Sequence, residues 1–124
     1  MVVSGSCQFG ESEIFYLVAE VDAKVVASSY IHMLGGYDKH VGVIGIVIMK
    51  GFRNLGIGTQ MMHTLVEEAR KRNLKVLTLC AFASNERAMH VYQKIGFAQT
   101  GLIPKKHFKE DKYIDEVIMT KVLE

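Results

Sequence analysis

Gly51-Phe52-Arg53-Asn54-Leu55-Gly56-Ile57-Gly58-Thr59 follows an apolar, β-branched run, Val41 to Met49, and leads into an amphipathic segment, Thr59 to Arg72. A strand, a glycine-bearing turn and a helix start, in that order, make a seat for phosphate. Backbone N–H groups at a helix N-terminus lack intrahelical partners, and the helix dipole favours an anion there. Gly56 and Gly58 carry no Cβ, so the backbone can take positive φ and approach a ligand closely. Two familiar phosphate loops fit poorly. Gly51 and Gly56 have the spacing of a nucleoside triphosphate loop, but Ile57 stands where its lysine must be. A dinucleotide fingerprint needs a third glycine and an acidic residue at the next strand end. Here Gly58 is followed by Met61, and the next strand ends in Cys80-Ala81-Phe82.

Outward from that loop, the chain reads as one domain. Glu13 to Val21 and Lys24 to Met33 read as strands joined by a tight turn at Asp22-Ala23. Gly35-Gly36 opens a loop carrying Tyr37 to His40. The nearly continuous apolar run Val41 to Met49 reads as a central strand buried on both faces. In the next helix Met61, Met62, Leu65, Val66 and Ala69 share one face, and Arg70, Lys71 and Arg72 suit the negative end of its dipole. Lys75 to Phe82 reads as a second buried strand. Strand–helix–strand order implies a parallel pair with a right-handed crossover. Ser84-Asn85 caps a short helix that ends before Gly96. Phe97 to Ile103 and Tyr113 to Leu123 form a final antiparallel pair around a charged loop, Pro104 to Lys112.

Composition bounds the function. With 124 residues, 49% hydrophobic content and one proline, the chain builds a single compact core. A net charge of +2 does not point to nucleic acid, and the basic run Lys105, Lys106, His107, Lys109 reads as a solvated loop. Cys7 and Cys80 make no disulfide framework, and the five histidines show no metal-ligand spacing with cysteine. Neither a signal peptide nor a membrane span is visible, so the expected location is the cytoplasm.

Arg53-x-x-Gly56-x-Gly58 resembles the [Q/R]-x-x-G-x-[G/A] signature of the GNAT superfamily of acetyl-CoA-dependent N-acetyltransferases. Asn54 stands where the family often has glycine, and asparagine tolerates left-handed backbone better than most residues. Asn85-Glu86-Arg87-Ala88-Met89-His90-Val91-Tyr92-Gln93-Lys94-Ile95-Gly96-Phe97 resembles the family's second signature and falls in the right order. Asn85 and Tyr92 are seven residues apart, about two helical turns, and share a face. Each residue alone has a structural account: a tight turn at the glycines, an N-cap, a core aromatic, a helix stop. Their joint spacing carries the resemblance, which spans residues 13 to 123.

The resemblance implies an α/β (α+β) fold, with a mixed, mostly antiparallel sheet, a central parallel strand pair and helices on both faces. It implies acetyl-CoA as co-substrate, with pyrophosphate on the amides of Arg53, Asn54, Leu55, Gly56, Ile57, Gly58 and Thr59. The pantetheine arm would run along Ile46, Val47 and Ile48 and meet Asn85, and Tyr92 would be the acid for the CoA thiolate. The implied acceptor is a primary amine of a small molecule, amino acid or peptide. A second copy of the chain is a candidate partner; nucleic acid and membrane are not. The alternative is a non-catalytic CoA-binding module or regulatory subunit. No general base is identified: His32 and His40 are weighed for that role, and Asp115 as a residue that orients the acceptor, each with a bland account as a surface or core residue. Members usually place a strand and one or two helices before the hairpin. Only about a dozen residues precede Glu13 here, so those elements are expected to be largely missing, by truncation or because a partner subunit supplies that wall.

Overall fold

The computed structural model describes residues 2–9, 12–53 and 56–123; within the first segment, only Gly5 is described beyond its backbone. Seven strands and two α-helices occur among these residues. They are β1 (Val2–Phe9), β2 (Ser12–Val21), β3 (Lys24–Met33), β4 (Val41–Ile48), α1 (Ile57–Lys71), β5 (Val76–Phe82), α2 (Glu86–Ile95), β6 (Ala98–Lys109) and β7 (Lys112–Val122). The strands form one mixed sheet in the order β1-β2-β3-β4-β5-β7-β6. Among the described residues only β4 and β5 pair in parallel, which is the central pair expected from strand–helix–strand order. Residues 2–9, where a first strand was expected to be largely missing, form an edge strand antiparallel to β2.

Alternation puts Phe15, Leu17 and Ala19 of β2, Ala27, Ile31 and Met33 of β3, Ile44 of β4, Leu77 and Leu79 of β5, and Val117 and Met119 of β7 on one buried face. Met61, Met62, Leu65, Val66 and Ala69 of α1 cover it, the five positions expected from helical spacing. Tyr92 of α2 joins the same cluster. Both crossovers, β4 to β5 and β5 to β6, advance in the same direction across the sheet. Right-handed connections then set α1 and α2 on the same face, whereas the sequence suggested helices on both. The opposite face of β2–β4 carries the half-exposed Tyr16 and Tyr30 and the exposed Val47.

Several boundaries differ from the sequence reading. The turn at Asp22 and Ala23 has φ of 53° and 64°, the left-handed pair that a two-residue hairpin requires. The Gly35-Gly36 loop contains a short 3₁₀ turn, Gly36–Asp38. The charged segment Pro104 to Lys112 is not a loop. β6 runs on to Lys109 through an irregularity between Ile103 and His107, and the turn is Glu110-Asp111, φ 52° and 61°. Lys105 takes φ 55° at that irregularity, and its N–H donates to Asp115 Oδ1 at 2.9 Å. This local kink lets a polar stretch stay in the ladder, a feature that composition alone does not reveal.

Candidate functional site

β4 and β5 share only four rungs, Val41↔Val76 to Ile44↔Leu79. Beyond them β4 stays paired with β3 as far as Ile48, and β5 stays paired with β7 as far as Phe82. The two halves of the sheet therefore part, and Gly45 to Ile48 present a backbone edge without a strand partner on that side. Val41 to Met49 is accordingly not buried on both faces: Val47 is 69% exposed. A cavity of about 220 Å³ lies at the split, lined by Ile46, Cys80, Asn85, Tyr92, His107 and Glu116 among others.

Three residues expected from sequence meet there: Ile46, Asn85 and Tyr92. Asn85 caps α2, its Oδ1 accepting the N–H of Ala88 at 3.1 Å. The cap uses the carbonyl oxygen and does not engage the side-chain NH₂ donors. Gly96 closes α2 at φ 110°. Tyr92 is buried and meets Phe97 edge-on at 6.4 Å. Burial pushes its phenol above the ordinary value, so the hydroxyl is protonated at neutral pH.

Of the loop, the described residues Arg53 and Gly56 to Thr59 do not line this cavity; they follow the free end of β4. Gly56 has φ 80° and precedes α1 without any side-chain cap, so the N–H groups of Ile57, Gly58 and Thr59 have no capping partner from residue 56. The helix starts two residues earlier than Thr59. A Cβ on Gly58 would come within 3.0 Å of Ile48 Cδ1, which is how closely the helix start abuts the strand end. Arg53 Nε donates to the Ile48 carbonyl at 3.1 Å and ties the loop to β4. Asn54 and Leu55 lie outside the described residues.

Sequence reading missed Cys80, His107 and Glu116. Glu116 is 7% exposed. Its Oε2 accepts from Lys106 Nζ at 2.8 Å, and its Oε1 lies 3.2 Å from His107 Nε2. The Lys106 hydrogen bond, opposed by burial and aided by His107, holds this carboxyl below the usual range. Partial desolvation, and then the Glu116 charge, push the thiol of the exposed Cys80 up. Alternation along β7 could have found Glu116, since it faces Phe82 across the ladder. His107 had no such signal, because its segment read as a loop. The three weighed alternatives lie elsewhere. His40 is exposed ahead of β4, His32 pairs opposite Val43 of β4, and Asp115 pins the β6 irregularity. No group of three or more potential metal ligands occurs among the described residues, and none of their helices is long and apolar enough to cross a membrane.

A family model, "Acetyltransferase (GNAT) family", matches residues 5–97. An uncharacterized N-acetyltransferase of Methanocaldococcus jannaschii is 32% identical over 108 residues, 86% of this chain and 65% of that protein. The chain spans 43%, 44% and 65% of the length of three curated relatives it matches. Among solved structures, an acetyltransferase of the GNAT family from Streptococcus pneumoniae superposes with TM-score 0.82 at 29% identity, covering 89% of this chain and 67% of that one. A GNAT superfamily phosphinothricin acetyltransferase from Sinorhizobium meliloti, solved with acetyl-CoA, shares the fold: TM-score 0.81, 18% identity, 89% of this chain and 61% of that one.

Proposed function

The chain belongs to the acetyltransferase (GNAT) family, and from that premise we propose that it transfers the acetyl group of acetyl-CoA to a primary amine of a small molecule, amino acid or peptide. The observation that carries this reading is the split between β4 and β5, with Ile46, Asn85 and Tyr92 converging on one cavity. An extended pantetheine arm can add to the free edge at Ile46 to Ile48 as an extra strand would, through backbone hydrogen bonds. Its pyrophosphate end then reaches the uncapped N–H groups at Ile57 to Thr59. The Asn85 amide donates to the arm.

Chemistry follows from these positions. A neutral amine attacks the thioester carbonyl, and a backbone N–H of β4 stabilises the oxyanion. The C–S bond breaks, and Tyr92 hands its proton to the departing thiolate. A thiol pKa of about 8.5 makes the thiolate a fair leaving group, so this acid assists the step without deciding it.

A melting series with acetyl-CoA, ATP and NAD tests the cofactor, because a ligand of the native state raises stability by mass action. Acetyl-CoA alone is expected to stabilise. A panel of amino acids, their amides, short peptides and aliphatic diamines, read by chromatographic detection of CoA, tests turnover. Stabilisation by ATP or NAD without acetyl-CoA would overturn the reading. Stabilisation by acetyl-CoA with no turnover of any amine would identify a CoA-binding module instead.

A further inference from the structure

The cavity at the split joins two faces of the sheet. Leu17, Ser29 and Ile46 are cross-strand partners on the helix-covered face. Cys80 and Ile118, and Phe82 and Glu116, are partners on the opposite face, and His107 sits beside Ile114 on that side. A cofactor arm lying along β4 with Asn85 and Tyr92 approaches from the helix side. An amine attacking the carbonyl then arrives from the side that carries His107 and Glu116.

We propose that His107, oriented by Glu116, is the proton acceptor for the incoming amine. This rests on the acetyltransferase reading above. Glu116 is buried, and both of its oxygens are engaged, one by Lys106 and one by His107. The Phe82 ring packs against the imidazole with centroids 4.6 Å apart, which fixes the ring's position. A neutral imidazole that donates Nε2–H to Glu116 keeps a lone pair on Nδ1, and the carboxylate steadies the imidazolium once a proton arrives. The other titratable groups around the cavity are unsuited. The Lys106 hydrogen bond holds Glu116 below the ordinary carboxylate range, so it binds a proton poorly. Glu116 in turn raises Lys106, which stays an ammonium. Partial desolvation and the Glu116 charge keep Cys80 a thiol, and burial keeps Tyr92 a phenol. Lys109, over the Phe82 ring at 5.6 Å, adds a further cation on this side. Imidazole is the side chain whose ordinary charge change falls near neutrality.

The protons balance. An ammonium R–NH₃⁺ gives one proton to His107 Nδ1 and becomes R–NH₂. The amine nitrogen forms the C–N bond, and the C–S bond breaks. Tyr92 protonates the thiolate, and the second nitrogen-bound proton returns to the phenolate. The imidazolium then loses its proton to water.

The test uses the full chain and the best amine of the panel. His107→Ala is expected to lose about 100-fold in kcat/KM at neutral pH, with the deficit shrinking as pH rises and the amine deprotonates unaided. Added imidazole should restore part of the rate, while acetyl-CoA affinity stays within about twofold. His107→Gln retains a donor for Glu116 but no base; it should melt with the wild type and be as slow as the alanine variant. Glu116→Gln should move the acidic limb of the pH profile, and His40→Ala should change nothing. Wild-type kinetics and an unchanged pH profile in His107→Gln would overturn the proposal and leave the acetyltransferase reading standing. Failure of every amine with wild-type protein would overturn both. Nitrogen-15 NMR of His107 gives a check independent of turnover: a neutral ring protonated at Nδ1 instead of Nε2 overturns it.

Discussion

At the scale of single residues, the proposed acid and the proposed base differ in environment. Burial holds the Tyr92 phenol protonated, and Tyr92→Phe is expected to lower kcat by about ten- to a hundredfold while acetyl-CoA still stabilises the protein. Steady-state rates beside a melting series distinguish the two effects. Glu116 acts on stability as well. Its folded-state pKa lies below the ordinary value, so its contribution is complete above the usual carboxylate range and disappears as pH falls through the lowered value. Lys106 is raised, so its share is complete below the usual lysine range and is lost only in strong alkali. Glu116→Gln should therefore melt below wild type at neutral pH, and the two curves should converge on acidification. Cys80 is exposed at the rim of the same cavity with a raised pKa. It should alkylate slowly at neutral pH, and acetyl-CoA should slow it further, as mass spectrometry after iodoacetamide can read.

At the scale of elements, each helix end has a structural role beside the binding role proposed for it. Asn85 Oδ1 caps Ala88 at 3.1 Å, so Asn85→Ala should cost about 1 kcal/mol of stability and also weaken acetyl-CoA binding. A structural cap alone would cost the first without the second. Gly56 stands at φ 80° with open space around it. Gly56→Ala meets no neighbour, yet an L-residue in left-handed backbone costs about 1–2 kcal/mol. Urea melts of both variants, repeated with saturating acetyl-CoA, check these values. Helix periodicity was legible because α1 is amphipathic over its whole length. The far half of β6 was not, because Lys105 to Lys109 carries the composition of a solvated turn. The Lys105–Asp115 hydrogen bond, ten residues apart, keeps it in the sheet.

At the scale of the whole molecule, one sheet carries both the core and the site. Its central strand packs tightly where the parallel pair forms. A Cβ on Gly42 would come within 2.7 Å of Ile31 Cγ2 and 3.0 Å of Leu77 Cδ2. Gly42→Ala should overpack that junction by about 1–3 kcal/mol, read from the urea midpoint at unchanged m-value. Beyond the four shared rungs, the β5-side edge of the same strand is open, the edge proposed above for a cofactor arm. The sequence by itself determined the glycine at the start of α1, the capped helix that brings Asn85 and Tyr92 together, and the parallel pair between them. These are local matters: turn chemistry, helical period and element order within a short stretch of chain. The parting of β4 from β5 after Ile44, and the arrival of His107 and Glu116 at the gap, were decided by the tertiary structure alone. They depend on strand register between segments more than thirty residues apart, and register is set by the packing of whole faces, which no local pattern encodes.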